Sequence, residues 1–92
     1  MSALNATPSN VPASASSVTI LASNADRRHA TFYNDSAAIL YLKYGAVATT
    51  DSFTVKLNSG AYYELTYPVY TGIIDGIWDS ATGSLRVVEM TI

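Results

Sequence analysis

Residues 27–45 read "RRHATFYNDSAAILYLKYG" and hold the most regular alternation in the chain. In "HATFYN", Ala30 and Phe32 fall on one side of an extended backbone, with His29, Thr31 and Tyr33 on the other. After a polar break, "AAILYLKY" sets Ala38, Leu40, Leu42 and Tyr44 against Ile39, Tyr41 and Lys43. Side chains that alternate with period two describe strands buried on one face. Asn34-Asp35-Ser36 is the expected turn between them, because short polar side chains bond their own backbone there.

The same period continues in both directions. Upstream, "SVTILAS" is a further strand candidate, and downstream "SFTVKLN" points Phe53, Val55 and Leu57 inward against Thr54 and Lys56. Ser59-Gly60 turns the chain into "AYYELTY", with Tyr63, Leu65 and Tyr67 opposed to Tyr62, Glu64 and Thr66. Pro68 ends that strand, having no N–H to give to a ladder. In "GIIDGIWD", Ile74, Gly76 and Trp78 share one side, and Gly76 leaves room for a large neighbour to cross the backbone. "SLRVVEMT" follows "SATG", whose Gly83 suits a positive-φ position in a hairpin loop. No stretch carries an uninterrupted helical stripe. About seven short strands between turn signals predict an all-β domain over residues 17–92, a small antiparallel β-sandwich or jelly-roll-like barrel.

Residues 1–16 are of another kind. No charged side chain occurs before Asp26, and Leu4 and Val11 are the sizeable apolar residues of "SALNATPSNVPASASS". So little apolar surface does not offset ordering entropy, while Pro8 and Pro12 favour extended backbone. Two readings follow, a disordered tail or an extended N-terminal arm that orders against a neighbour; the arm is the expectation carried forward, and the domain is not expected to need it for stability. The lack of charge suits docking against a neighbour, where a charge is costly to desolvate, with Leu4 and Val11 as anchors.

Composition narrows the function classes. The 92 residues carry a net charge of −2, and 13% are charged. That weak acidic balance argues against nucleic-acid binding, which needs a basic face to release counterions. The absence of cysteine excludes disulfide and thiolate chemistry. No apolar run approaches the roughly 20 residues of a membrane span, and no basic lead precedes an apolar stretch as in a signal peptide. A soluble protein without membrane or nucleic-acid partners is expected.

Catalytic chemistry finds little to work with. His29 is the only histidine, so neither a His-based metal cluster nor a Ser–His pair can draw on a second one. Asp75 and Asp79 share a strand face, as paired carboxylates for acid–base work or a hard cation do, but nothing nearby completes a site and Asp79 opens a turn. No catalytic residue, cofactor or metal is assigned, and the chain is not expected to be an enzyme. The aromatic residues speak instead for contact surfaces. Tyr63, Tyr67 and Trp78 fall on core faces, whereas Tyr33, Tyr41 and Tyr62 lie beside polar residues, and tyrosine brings large contact area at low entropy cost. Arg27 and Arg28 point opposite ways on an extended chain. One is expected to pair locally, with Asp26, Asp35 or another acid, leaving the other for a bidentate partner contact. The candidate partner-binding set is therefore Leu4, Val11, Arg27, Arg28, Tyr33, Tyr41 and Tyr62.

The "R-x-x-T-x-Y-N-D-S" entry, "SFTVKLNSGAYYEL", and the "I-D-G-I-W" strand with "A-T-G" after it resemble a group of small β-sandwich virion proteins of tailed bacteriophages, of the capsid decoration or cement type. The resemblance covers roughly Ser17 to Met90. A glycine is common after the paired arginines in such sequences, and His29 stands in its place here, which argues against a tight backbone approach at that point. What the resemblance implies is a structural protein on the capsid exterior, assembled in the host cytoplasm and bound to the major capsid protein. The alternative it leaves is a tail or baseplate accessory module that recognises host-surface glycans. A core this small, with unprotected strand edges, adds the expectation of a homo-oligomer, dimer or trimer. The architecture itself is open to a direct check. Far-ultraviolet circular dichroism should show β structure with almost no helix, and a helical content above about a third, the globular average, excludes it.

Overall fold

The computed structural model describes residues 4–92, and every regular element in that span is a strand: β1 (Asn5–Pro12), β2 (Val18–Leu21), β3 (Arg27–Ser36), β4 (Leu40–Tyr44), β5 (Val55–Leu57), β6 (Tyr62–Glu64), β7 (Ile74–Trp78) and β8 (Gly83–Thr91). All seven alternating stretches hold a strand, and β1 comes from the N-terminal segment. The strands form two four-stranded sheets, β1-β8-β3-β6 and β2-β7-β4-β5, in which every pairing is antiparallel. The pairs nest: β1 with β8, β2 with β7, β3 with β6 and β4 with β5. The chain is thus one long antiparallel hairpin with its tip between β4 and β5. Rolling that hairpin brings β3 beside β8 and β4 beside β7.

The inward residues of the two sheets make the core. Phe32, Leu40, Leu42, Ile74 and Leu85 are fully buried, and Trp78 and Val87 nearly so. These are the positions that period-two alternation assigns inward. At Gly76 an added Cβ would lie 3.0 Å from Leu40 Cδ1 and 3.1 Å from Ile20 Cδ1. The missing side chain therefore lets residues of β2 and β4 meet across β7.

Three expectations are corrected. Asn34–Ser36 is not a turn: it is the end of β3, and the bend falls at Ala37–Ala38. The reason is parity, since Asn34 shares the inward side of Ala30 and Phe32 and is buried with them. Phe53 lies outside the three-residue β5, 39% exposed, and packs edge-on against Tyr41 with ring centroids 5.0 Å apart. Tyr67 is 73% exposed rather than in the core. The β6 ladder stops at Glu64, so alternation no longer governs a residue three positions later.

In place of a free extension, residues 5–12 run along β8 from Asn5↔Thr91 to Pro12↔Ser84. Residues 1–3 of the expected arm lie outside the described residues. The Ala13 N–H donates to the Gly83 carbonyl at 2.9 Å. Alternation then aims the odd-numbered amides of β1 at β8 and leaves Ala6, Pro8, Asn10 and Pro12 facing the open edge. Both prolines therefore stand where a donor would otherwise invite another strand, a common way of blunting an edge.

Gly83 has the positive φ anticipated for it, 85°, and a Cβ there would lie 2.6 Å from the Asp35 carbonyl oxygen and 2.7 Å from Ser36 Cα. Strain and clash add. Gly83→Ala is expected to cost about 2–4 kcal/mol in thermal or urea denaturation. A change within about 0.5 kcal/mol, the usual range for an uncritical surface site, would show that the β7–β8 turn relaxes freely.

Candidate functional site

The paired arginines separate because β3 bulges. Arg27 lies opposite Thr91 and His29 opposite Met90, so one extra residue is inserted on β3. Unbroken alternation from Ala30 would turn Arg28 inward; the bulge turns Arg27 inward instead. Arg27 is fully buried. Its Nε donates to Glu89 Oε2 at 2.9 Å, Nη1 to the carbonyls of Tyr70 (2.9 Å) and Gly72 (3.0 Å), and Nη2 to that of Ala22 (2.7 Å). The assignment of Arg27 as a partner contact is thus corrected: its guanidinium ties the β2–β3 and β6–β7 loops to β8. The local acid is Glu89, not Asp26 or Asp35. Arg28 is exposed and reaches only the carbonyls of Arg27 (3.2 Å) and Ala25 (3.4 Å).

Asn34 does the corresponding work at the other end of β3. Its Nδ2 donates to the carbonyls of Ala38 (2.8 Å), Leu57 (3.0 Å) and Asn58 (3.2 Å). Its Oδ1 accepts from Ser36 Oγ at 2.7 Å and from Trp78 Nε1 at 3.4 Å. A residue of one sheet is thereby bonded to β5 and β7 of the other. On the core side, burial and then the hydrogen bond to the Tyr44 hydroxyl (2.8 Å) push the Tyr63 phenol up to about 12.

The outer face of the β1-β8-β3-β6 sheet brings together two of the remaining candidates, Tyr33 and Tyr62. Register sets three cross-strand rows: Ala6–Met90–His29, Pro8–Val88–Thr31–Glu64, and Asn10–Arg86–Tyr33–Tyr62. Tyr33 and Tyr62 are 42% and 59% exposed. Beside them a shallow groove of about 310 Å³ is lined by Pro8, Ser9, Asn10, Arg86, Val87 and Val88. The charges on this face are largely paired. Arg86 Nε donates to Asp35 Oδ2 at 3.1 Å, and His29 Nε2 lies 3.2 Å from Glu64 Oε1. The His29 ring also stacks on Tyr67, centroids 5.7 Å apart and nearly parallel.

Other members of the candidate set are not brought here. Tyr41 lies on the opposite sheet, half-buried, with the Lys56 ammonium 5.9 Å from its ring centre. Val11 packs against the chain's own core, whereas Leu4 is 48% exposed. The two aspartates have separate surroundings. Asp79 Oδ1 accepts the Ile39 N–H at 3.0 Å, while Asp75 is 5% exposed with Oδ1 unpartnered. Lys43, in register with Asp75, donates to Val47 O and Ser52 Oγ instead. Among the described residues no three His, Cys, Asp or Glu side chains converge on a metal position.

Asn34, Tyr67 and Arg86 were absent from the candidate set. Alternation with Phe32 signalled the first, and alternation with Leu85 and Val87 placed Arg86 outward. No local signal marked Tyr67, whose position depends on the loop after β6. Comparison with protein-family models, curated proteins and solved structures finds no match to this chain.

Arg27 offers a direct test of the division between inner and outer faces. Arg27→Lys is expected to lower stability by about 3 kcal/mol, since an ammonium lacks the planar fork that meets four acceptors here. An unchanged melting temperature would mean that those carbonyls find other donors without loss.

Proposed function

We propose that this chain is a structural virion protein of a tailed bacteriophage. It decorates the capsid exterior by docking the outer face of the β1-β8-β3-β6 sheet on the major capsid protein. The observation that carries this reading is the make-up of that face. Tyr33 and Tyr62 stand side by side and exposed, on the sheet face that also carries Val88 and Pro8 one row away and Met90 two rows away, and Arg86 pairs with Asp35 and His29 with Glu64. Interfaces are enriched in tyrosine and methionine and depleted of free charge at their centres, so this composition favours a protein partner over a small substrate.

The strand order supports a finer reading of the fold as a jelly roll, a long hairpin rolled into two sheets, an architecture used by viral capsid and lectin domains. That is an analogy of fold and raises the proposal without deciding it. The resemblance of Arg28–Ser36 and Ile74–Trp78 to phage decoration proteins points the same way. Arg28, exposed and held only by backbone carbonyls, is the cation of the arginine pair left for a partner carboxylate. Assembly in the host cytoplasm and a dimer or trimer on the capsid complete the proposal. A second reading, a tail or baseplate module for host-surface glycans, draws on one feature: exposed Tyr33 and Tyr62 in a row with Arg86, whose side chain pairs with Asp35, so that rings for stacking lie beside groups for hydroxyl bonding.

Tyr33→Ala and Tyr62→Ala are each expected to weaken co-sedimentation with purified capsids by roughly tenfold in Kd, as central tyrosines do. Melting temperatures should hardly change, because both side chains point to solvent. Capsid binding that is undiminished in the double variant, together with glycan binding that is lost, would replace the capsid reading with the second one.

A further inference from the structure

We propose that β1 exchanges between copies of this chain, each copy lending its residues 5–12 to the β8 edge of another. The inference concerns association of the chain with itself and stands whether or not the scaffold is a capsid. Three features of β1 carry it. Its substantial contacts are with β8 alone. Seven of its eight residues are exposed, and Val11 is the side chain that reaches the core. The strand is therefore held by its ladder and by one half-buried apolar group, which places it at the low end of local opening energies.

The hinge is also well defined. Ala13 still belongs to the ladder through its bond to Gly83, whereas the Ser14 carbonyl accepts the Trp78 N–H at 2.9 Å and belongs to the body. A pivot between those residues frees β1 at the expense of the core contacts of Val11 and Ala13 alone, which exchange restores. β1 and β2 lie in different sheets, so no tight hairpin returns the strand to its own body. Departure of β1 bares the nine-residue β8, with Val88 and Met90 half-buried along it. Such an edge recruits a strand. The strand that matches its register is β1, from the same chain or from another, and exchange re-forms every ladder bond with only the hinge changed. Pro8 and Pro12 on the far edge of β1 then stop further strands from adding beside the exchanged one.

The test uses the absence of cysteine from the chain. Asn10 and Arg86 face each other on the exposed side as a pair without mutual backbone bonds, where Cα atoms lie about 4.5 Å apart and a disulfide fits. Full-length N10C and R86C chains are co-refolded at high concentration, oxidised, and separated on a non-reducing gel. Neither variant can close a disulfide within itself. Exchange predicts that nearly all crosslinked product is the mixed N10C–R86C species. Random collision yields only half mixed product, and that result, or no crosslinking at all, overturns the proposal. The double variant N10C/R86C, oxidised at high dilution, establishes that the pair closes within one chain; if it does not, the register and the proposal both fall. Ala6→Cys with Met90→Cys repeats the measurement at a second position, should either first variant fold poorly.

Discussion

The carboxamide of Asn34 is the contact on which the two-sheet arrangement depends. It is buried at the end of β3, gives its N–H groups to three carbonyls on the β3–β4 segment and at the end of β5, and takes bonds from Ser36 and Trp78. Left unpaired, those carbonyls would each cost on the order of 1–3 kcal/mol. Seven residues earlier on the same strand, roughly 23 Å away along its length, Arg27 plays the matching part with Glu89 and three more carbonyls. The inner side of β3 is thus polar at both ends and apolar between, at Ala30 and Phe32. Each polar end fastens loops that would otherwise leave buried backbone groups unmatched. The consequence reaches the outer side of the strand. Thr31 and Tyr33 project from a backbone pinned at both ends, so a partner meets a surface whose ordering cost has been met by folding.

Much of this was legible from alternation. Inward positions at Ala30, Phe32, Leu40, Leu42, Ile74 and Trp78 follow from a period of two, and the space at Gly76 and the turn at Gly83 follow from the chemistry of glycine. What escaped has physical causes. A bulge at Arg28 shifts the phase by one residue, and nothing in the local sequence announces it, so which arginine faces inward is decided by the register with β8. Asn34 carries the composition of a turn and the parity of a core residue, and the cross-sheet carbonyls that settle the conflict are distant in sequence. Tyr67 and Phe53 lie just beyond short strands, where alternation extrapolates past the end of the ladder that enforces it. The N-terminal segment read as an arm because its apolar content is too low to fold by burial. It is ordered by backbone pairing, which leaves little trace in composition.

The candidate face also has consequences for how a partner is met. Its polar pairs are Arg86 with Asp35, an exposed ion pair that adds little to stability, and His29 with Glu64, joined by a hydrogen bond. Their effect is to give Arg86, Asp35 and Glu64, the charged groups around Tyr33 and Tyr62, partners within the chain. A surface of this kind is poorly steered over distance, with association nearer the neutral range than the electrostatic one, and a partner docked on it as proposed would be held by contact area. The exposed rings supply area at a cost of few frozen torsions, and the adjacent groove lets a projecting side chain settle between Pro8 and Val88.

The missing charge at the N-terminus takes on a different meaning with β1 in place. An exposed edge strand is commonly defended with lysine, and nothing in the fold forbids one, because the alternate side chains of β1 at Asn5, Thr7 and Ser9 are exposed as well as those at Ala6, Pro8 and Asn10. Solubility alone would also favour charge there. The chain instead uses two prolines, which block added strands through the backbone while keeping both faces neutral. A strand defended in this way resists further pairing along its free edge yet remains able to pack side chains against a second surface without desolvating an ion. Pairing specificity and contact with a neighbour are thereby separated. The edge is closed by what proline lacks, and the faces stay open by what the sequence leaves out.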